Sequence, residues 1–213
     1  MDKIGLFPLG LVLFPESVVP LHIFEQRYKN LIRDCMETGS EFGINLMLAS
    51  KVYDIGCTAK VKAVIKDYDD GKLDITVGGF KRYKLNSYTV GSRIYYEGDI
   101  EYFEDGAPGE NEPDVLDLGL LDECIRFYNE ISEIVKIINI RKIDMRSLDT
   151  RLPSFFIAQK SGMSLKQKQE LLEMRSENKR LLTLRNHLKE ILPMLRKAEN
   201  INQIIRNDGF IMQ

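Results

Sequence analysis

The 213-residue sequence has no tryptophan, two histidines and three cysteines. Cys35, Cys57 and Cys124 lie far apart without a Cys-x-x-Cys spacing, so we expect neither a disulfide framework nor a zinc site. His22 and His187 each have one glutamate within four positions, and two ligands rarely suffice for zinc. These absences favour a metal-free protein in a reducing compartment, and we expect a cytoplasmic location.

Long apolar segments are missing as well. No window reaches the ~20 apolar residues of a membrane-spanning helix, so we expect no membrane association. Residues 4–14 have the apolar character of a secretory signal, but they contain Pro8, lack a small-residue cleavage site and continue into Pro15 and Pro20. We therefore expect a soluble protein that is not exported.

Motifs for catalysis are also absent. Gly71-Lys72 has no glycine at the spacing of a phosphate-binding P-loop, and Ser161 lacks the upstream glycine of a nucleophile elbow. Asp69 and Asp70 belong to a turn and do not have the oxygen spacing of a calcium loop. The sequence therefore predicts a protein that is not an enzyme and that has no cofactor or metal.

Composition and charge are those of an ordinary globular protein. Hydrophobic residues make up 44% of the chain and charged residues 29%, with a formal net charge of -2. Acidic residues dominate roughly the first two thirds of the sequence and basic residues the remainder. The basic residues alternate with glutamates, which indicates solvated helix faces rather than a stripe for nucleic acid.

The first part of the chain has one helical pattern followed by strand patterns. Apolar residues at 24, 28, 31, 32, 35 and 36 have helical spacing, and Gly39 stands at the expected C-cap. Strands are predicted at 42–48, 59–66, 72–77 and 93–103, with a hairpin turn at Asp70-Gly71. In 59–66 the alternation places Ala59, Val61, Ala63 and Ile65 on the buried side. We expect a small β-barrel subdomain over residues 1–105.

The second part of the chain is predicted to be helical. Residues 106–113 are acidic and rich in Gly and Pro, which is typical of a linker. Residues 114–213 then have helical spacing, with Ser164 as an N-cap and breaks near Gly162 and at 176–178. The predicted fold class is therefore α+β, a β-barrel with one packed helix followed by a C-terminal α-helical bundle.

The N-terminal segments resemble the N-terminal domain of the Lon protease family. The resemblance rests on "LFPLGLVLFP" at 6–15, "PLHIFEQRY" at 20–28, "IGCTA" at 55–59, "GGFKRYKL" at 78–85 and "KQKQELLE" at 166–173. Two positions depart from the family pattern: Glu16 replaces a usual glycine and Gln26 a common proline. The resemblance implies a PUA-like β-barrel, a helical bundle, and a role in recognising protein substrates or partners.

The family's ATPase and Ser-Lys protease modules have no counterpart in this sequence. We therefore expect a stand-alone form of the domain, without peptidase activity. The leading hypothesis is a protein- or peptide-binding module that binds unfolded or specific protein partners, as an adaptor in protein quality control. The alternative is an RNA-binding PUA-like factor, against which the acidic composition and the lack of a basic patch argue.

Structural roles are expected for ten signature residues: Phe7, Pro8, Phe14, Pro15, Pro20, His22, Phe24, Glu25, Arg27 and Tyr28. We expect the prolines to bound or bend strands and the three phenylalanines to seal one rim of the barrel. The histidine is expected to bond a turn or a cap, and the Glu-Arg pair to orient the helix.

The sequence offers one candidate binding patch. In residues 93–103, Ile94, Tyr96, Ile100 and Tyr102 form the more apolar side, which leaves Tyr95 pointing outward. With Arg82 and Tyr83 it would form an exposed aromatic and basic patch, the composition of many interface hot spots. The competing interpretation is that these residues cover the barrel or pack against helices.

Overall fold

A computed structural model describes residues 2–90, 94–106, 115–135, 142–145, 148 and 150–207. The chain divides into two compact units. The first unit combines residues 1–105 with 164–175, and the second combines 106–163 with 176–213. The predicted linker at 106–113 lies outside the described residues except for Gly106. The predicted division into a barrel, a linker and a bundle stays a prediction.

The first unit contains a mixed sheet and two helices. Its strands are β1 (Asp2–Leu9), β2 (Val18–Ile23), β3 (Phe42–Leu48), β4 (Lys51–Asp67), β5 (Leu73–Val90) and β6 (Tyr96–Tyr102). Its helices are α1 (Gln26–Thr38) and α4 (Leu165–Glu173). The strands predicted at 42–48, 59–66 and 72–77 are all present, and β4 and β5 extend well beyond the predicted bounds.

The strand order is β2-β5-β4-β3-β1-β6, and β5 also pairs with β6. β1 and β3 are parallel, whereas all other pairs are antiparallel. The second pairing of β5 joins five strands into a closed ring, with β2 added on the outside. The β-rich fold is therefore confirmed, whereas the more specific labels, a PUA-like barrel and a helical bundle, stay predictions.

Helix α1 packs against the sheet through the stripe that its sequence predicts. Tyr28, Leu31, Ile32 and Cys35 are buried, and Gly39 ends the helix with a φ of 68°. Phe24 precedes the helix and is 58% exposed, so its predicted place in the core is wrong.

Irregular pairing changes which residues of β4 face the core. The register with β5 shifts between Val61 and Ala63 and again between Val64 and Lys66. Because each bulge inserts an extra residue, the alternation of the sequence is not kept. Ala59 is buried as expected, but Ala63 and Ile65 are exposed, and the prediction for these two residues is wrong.

A tight turn before β2 is fixed to β5 by backbone hydrogen bonds. Glu16 N–H donates to the Gly79 carbonyl at 3.0 Å, and Gly79 N–H donates to the Ser17 carbonyl at 2.9 Å. Ser17 Oγ donates to the Phe14 carbonyl at 2.6 Å. Glu16 has a φ of 61°, a left-handed conformation that suits glycine, which explains the glycine of the family pattern at this position. Gln26, where the family has proline, is the first residue of α1, a position that proline favours.

Helix α4 is attached to β5 by a buried arginine. The Arg82 guanidinium donates to the carbonyls of Leu172 at 3.1 Å and Met174 at 2.5 Å, and pairs with Asp105. These carbonyls belong to the C-terminal end of α4, where backbone acceptors have no partner inside the helix. The predicted N-cap, Ser164, forms a capping box at the other end. The helix therefore belongs to the first unit, although it lies within the segment predicted as the C-terminal helical bundle, residues 114–213.

The second unit contains α2 (Leu118–Val135), α3 (Pro153–Ala158) and α5 (Glu177–Asn207), which pack on one another. A buried ion pair holds the start of α3. Glu177 accepts bonds from Ser154 N–H at 2.7 Å and Ser154 Oγ at 2.8 Å, and from Arg180 at 2.5 Å. Arg180 also lies over the Phe155 ring at 4.4 Å.

Gly79→Ala is expected to lower the free energy of unfolding by about 2 to 3 kcal/mol, because the added Cβ would overlap the Phe14 carbonyl oxygen. Gly78→Ala is the matched control. Its Cβ would lie 2.5 Å from Lys62 Cε, on a flexible exposed side chain that can move, so the loss should be less than about 1 kcal/mol. Equal losses in chemical denaturation would contradict the rigid turn.

Glu16→Gly is expected to raise the free energy of unfolding by about 0.5 to 1 kcal/mol, because glycine adopts the left-handed φ of this position without strain. Part of the gain is offset because glycine makes the unfolded chain more flexible. Glu101→Gly, at an exposed position of β6 without positive φ, should instead destabilise. A denaturation midpoint that falls in both variants would refute the strain at Glu16.

Arg180→Ala is expected to lower the free energy of unfolding by about 3 to 5 kcal/mol, because it leaves the Glu177 carboxylate buried without its charge partner. Arg185→Ala removes the more exposed pair with Glu123 and should cost less than about 1 kcal/mol. Thermal or chemical denaturation of both variants measures the difference. A similar small loss in both would show that the buried pair contributes little.

Candidate functional site

The structure buries the three residues of the predicted binding patch. Arg82, Tyr83 and Tyr95 are 4%, 0% and 3% exposed, respectively. The expectation that they form a surface patch is therefore wrong. The competing interpretation, that they cover the barrel or pack against helices, agrees with Arg82, which bonds to α4, and with Tyr95, which bonds to Asp34 of α1. Tyr83 is instead fully buried within the sheet. Arg82 anchors α4, as described above.

Tyr83 fills the interior of the ring of strands. Its hydroxyl donates to Asn45 Oδ1, and Asn45 Nδ2 donates to the Tyr53 carbonyl at 3.0 Å. A Cβ at Gly56 would lie 2.7 Å from the Tyr83 ring, so glycine at this position makes room for the ring. Burial raises the pKa of Tyr83 well above its usual value of 10.0, which keeps the hydroxyl a neutral donor.

Tyr95 is buried because the chain turns just before β6. Ile94 has a φ of 72°, an unusual value for a β-branched residue, and its side chain is exposed. Tyr95 then points inward and donates its hydroxyl to Asp34 Oδ2 at 2.8 Å. Ile100, by contrast, faces the core as its alternation predicts. The strand begins only at Tyr96, so the alternation of inward and outward side chains predicted for residues 93–103 does not apply to Ile94 and Tyr95.

Most of the signature phenylalanines and prolines are buried or lie within a strand. Phe7 and Phe14 are buried, and the Phe7 ring stacks on Tyr28 at 4.0 Å. Pro8 and Pro15 are buried, whereas Pro20 lies in β2, which is the outermost strand of the sheet order. Proline is tolerated there because an outermost strand has one side without ladder hydrogen bonds.

Glu25 and Arg27 pair with each other at the start of α1. The distance from Arg27 Nη2 to Glu25 Oε2 is 2.8 Å. The Arg27 guanidinium lies over the ring of Tyr28 at 4.6 Å and over that of Tyr96, in β6, at 5.6 Å. These contacts connect the first turn of the helix to the sheet, which supports the predicted orienting role.

One face of the sheet in the first unit is exposed where β2, the first half of β5 and the second half of β4 lie side by side. Directly paired residues of antiparallel strands share a face, so the register defines three rows. The rows are Val18–Gly78–Lys60, Pro20–Thr76–Ala63 and His22–Asp74–Lys66. The opposite face carries the buried Ile75 and Val77. We call the exposed face, together with Lys62, Phe80 and Lys81, the outer face.

A hollow of about 490 Å³ lies at one end of the outer face. Its lining residues are Glu16, Ser17, Val18, Lys62, Gly78, Gly79, Phe80 and Lys81. Two apolar side chains beside the hollow are solvent-accessible, Val18 at 53% and Phe80 at 37%. Both glycines are closely covered, because a Cβ at Gly78 would lie 2.5 Å from Lys62 Cε and one at Gly79 would overlap the Phe14 carbonyl oxygen. The turn at residues 14–17 holds one side of the hollow in place.

Ammonium groups border the apolar residues of the hollow. Lys62 Nζ lies 4.7 Å from the centre of the Phe80 ring, and Lys81 Nζ lies 5.4 Å from that of Tyr102. Within the described part of the chain neither lysine forms an ion pair. Glu16 is the one carboxylate among the lining residues. The hollow can therefore accept an apolar group with negative charge next to it.

The row at the other end of the outer face forms a polar network. His22 Nδ1 lies 2.6 Å from Asp74 Oδ1, and the Tyr68 hydroxyl donates to Asp74 Oδ2 at 2.7 Å. The bonds from His22 and Tyr68 lower the pKa of Asp74 from its usual 3.8. Phe24 stacks on the His22 ring at 5.9 Å. His22 thus bonds across two strands rather than to the predicted turn or cap, and it has a carboxylate partner.

Sequence reasoning did not identify this surface. Lys60 and Lys62 were assigned to the solvated side of a strand, and the apolar Val18 and Phe80 stand far apart in sequence. The adjacent glycines at 78 and 79 were the one available signal, since glycine within a strand often marks a close approach or a bulge.

Across the described ranges, no three His, Cys, Asp or Glu side chains are grouped as metal ligands. None of the described helices is both long and apolar enough to cross a membrane.

Comparison with known proteins gives a consistent result. Residues 3–190 match the family model of the ATP-dependent protease La (LON) substrate-binding domain. The chain is 23% identical to the Lon protease of Flavobacterium johnsoniae, with 97% of this chain and 26% of that protein aligned. It is also 23% identical to the Lon protease of Escherichia coli K12, with 96% and 27% aligned. The chain thus spans about a quarter of the length of the curated relatives that it matches.

Solved structures have the same fold. The Lon N-terminal domain protein from Xanthomonas campestris is 25% identical, with a TM-score of 0.63 over 86% of this chain and 97% of that chain. The N-terminal domain of the Mycobacterium avium complex Lon protease is 18% identical, with a TM-score of 0.64 over 88% and 98%. The ATPase and protease modules of Lon proteases have no counterpart in the sequence. The chain belongs to the family of ATP-dependent protease La (LON) substrate-binding domains.

Proposed function

We propose that this protein is a non-catalytic recognition module that binds unfolded segments of other proteins through the hollow of its outer face. The observation that carries the proposal is the exposure of Val18 and Phe80 beside a hollow of about 490 Å³. Accessible apolar side chains around a concavity are typical of protein-binding surfaces. Membership of a substrate-binding family supports the same function.

The backbone around the hollow is suited to repeated binding. Gly79 and the turn at residues 14–17 exchange backbone hydrogen bonds, so the hollow is held without a ligand. A preformed site loses little conformational entropy when it binds, which favours even weak apolar segments. The proposed biological role is that of an adaptor in protein quality control. The three free and buried cysteines are compatible with a reducing cytoplasm.

Replacing both Val18 and Phe80 by serine is expected to weaken binding to a reduced and alkylated, permanently unfolded protein at least tenfold, ~1.4 kcal/mol, because the apolar contacts are lost. Titration calorimetry or fluorescence anisotropy measures the affinity. The matched control is Phe156→Ser, which changes an exposed phenylalanine of α3 in the second unit. A folded double mutant that binds as tightly as the unmodified protein would rule out this surface.

RNA binding is the alternative hypothesis. The same binding assay, repeated at increasing salt concentration, distinguishes it from binding to unfolded protein. Apolar contacts retain most of their strength as salt is added, whereas binding to phosphates falls steeply because counterions are released. Tight, salt-sensitive binding of an RNA pool together with weak binding of the unfolded protein would favour the alternative.

A further inference from the structure

We infer that the hollow selects segments in which an apolar or aromatic residue is flanked by acidic residues. The inference deepens the proposed function and rests on it. Its basis is the combination, within one small surface, of an apolar concavity and ammonium groups that have no carboxylate partner among the described residues.

The apolar requirement follows from Val18 and Phe80. Both side chains are accessible, and the aliphatic stem of Lys62 covers Gly78, since a Cβ at that glycine would lie 2.5 Å from Lys62 Cε. A leucine or phenylalanine side chain of a bound segment can enter the hollow and bury the exposed surface of Val18 and Phe80. Burial of this apolar surface is the source of affinity for such an anchor residue.

The acidic requirement follows from the lysines. Lys62 and Lys81 line the hollow itself, and Lys60 lies beside Gly78 in the first row. Three ammonium groups thus border the apolar space against the single carboxylate of Glu16. Charged groups at the edge of an interface contribute to the choice of partner and to the rate of association more than to affinity. A segment with lysines beside its anchor would meet like charges.

The contact of Lys62 supports this arrangement. Its ammonium group lies over the Phe80 ring and therefore stays beside the apolar surface of the hollow. Lys81 also lines the hollow, and its ammonium group lies 5.4 Å from the ring of Tyr102, which is not a lining residue. A carboxylate next to the anchor residue of a bound segment would be placed within reach of these groups. The ion pairs would form at a partly exposed position, so their strength should decrease with added salt.

The test uses three fluorescently labelled peptides with the same apolar core and with flanking Asp, Asn or Lys residues. For the unmodified protein, anisotropy should show that the Asp peptide binds about tenfold more tightly than the Asn peptide at low salt, and that the Lys peptide binds most weakly. High salt should reduce the difference between the Asp and Asn peptides.

The double variant Lys62→Gln with Lys81→Gln should lose the preference for the Asp peptide and keep its affinity for the Asn peptide. The matched control, Lys160→Gln with Lys189→Gln, changes exposed lysines of the second unit and should keep the preference. Circular dichroism checks that both variants are folded.

The outcomes separate the inference from the proposed function. Equal binding of all three peptides, with binding still lost in the Val18 and Phe80 variant, overturns the acidic preference and leaves the proposed function in place. No binding of any peptide, or binding that does not depend on Val18 and Phe80, overturns both. Displacement of the Asp peptide by an RNA oligonucleotide of equal affinity would show that the lysines recognise phosphate, and it also overturns the inference.

Discussion

The double pairing of β5 is the constraint on which the first unit depends. β4 pairs with β5 from Leu73 to Lys84 and β6 pairs with it from Tyr83 to Val90, and the two pairings together close the ring. A closed ring needs a filled interior, and Tyr83 supplies the large side chain at its centre. Since its ring occupies the space beside Gly43 and Gly56, neither position tolerates a Cβ without displacement of the tyrosine. The closed ring of strands, the buried tyrosine and the two glycines therefore depend on one another.

The neighbouring residue on β5 has a different role. Arg82 directs its charge toward the carbonyls at the end of α4 and toward Asp105, so a buried cation is satisfied by several acceptors. In the second unit, Arg180 is satisfied in the same way, because it donates to Glu177 and Ser154, and Ser154 in turn donates to Glu177. Buried charges are costly unless they are paired and hydrogen-bonded, and both arginines meet that requirement. The basic and aromatic residues that looked most suited to binding are thus committed to the interior.

The proposed recognition surface is the part of the sheet that lies outside the ring. There β2 pairs with the first half of β5, one face packs on the core through Ile75 and Val77, and the other face is exposed. The hollow lies at one end of that face, beside the turn at residues 14–17. Because it lies away from the ring interior, we expect substitutions at Val18 or Phe80 to leave the core unchanged.

The sequence by itself determined the secondary structure with regular periodicity, because a helical stripe or a two-residue alternation follows directly from backbone geometry. This holds for α1 with its cap at Gly39, for the hairpin at Gly71 and for the capping box at Ser164. The local motifs around the phenylalanines and prolines also sufficed to indicate the family.

Only the tertiary structure decided which side of an irregular strand faces the core. Bulges in β4 and the positive φ of Ile94 interrupt the alternation, and neither leaves a signal in single-residue preferences. The direction of Tyr95 was therefore predicted wrongly. The exposure of Phe24, which precedes α1, and the burial of Arg82, which bonds to the end of α4, were also predicted wrongly, because the periodicity of one segment does not show contacts between elements. The outer face brings together residues 16–18, 60–62 and 78–81, which are distant in sequence, and their proximity exists only because β2 and β4 both pair with β5.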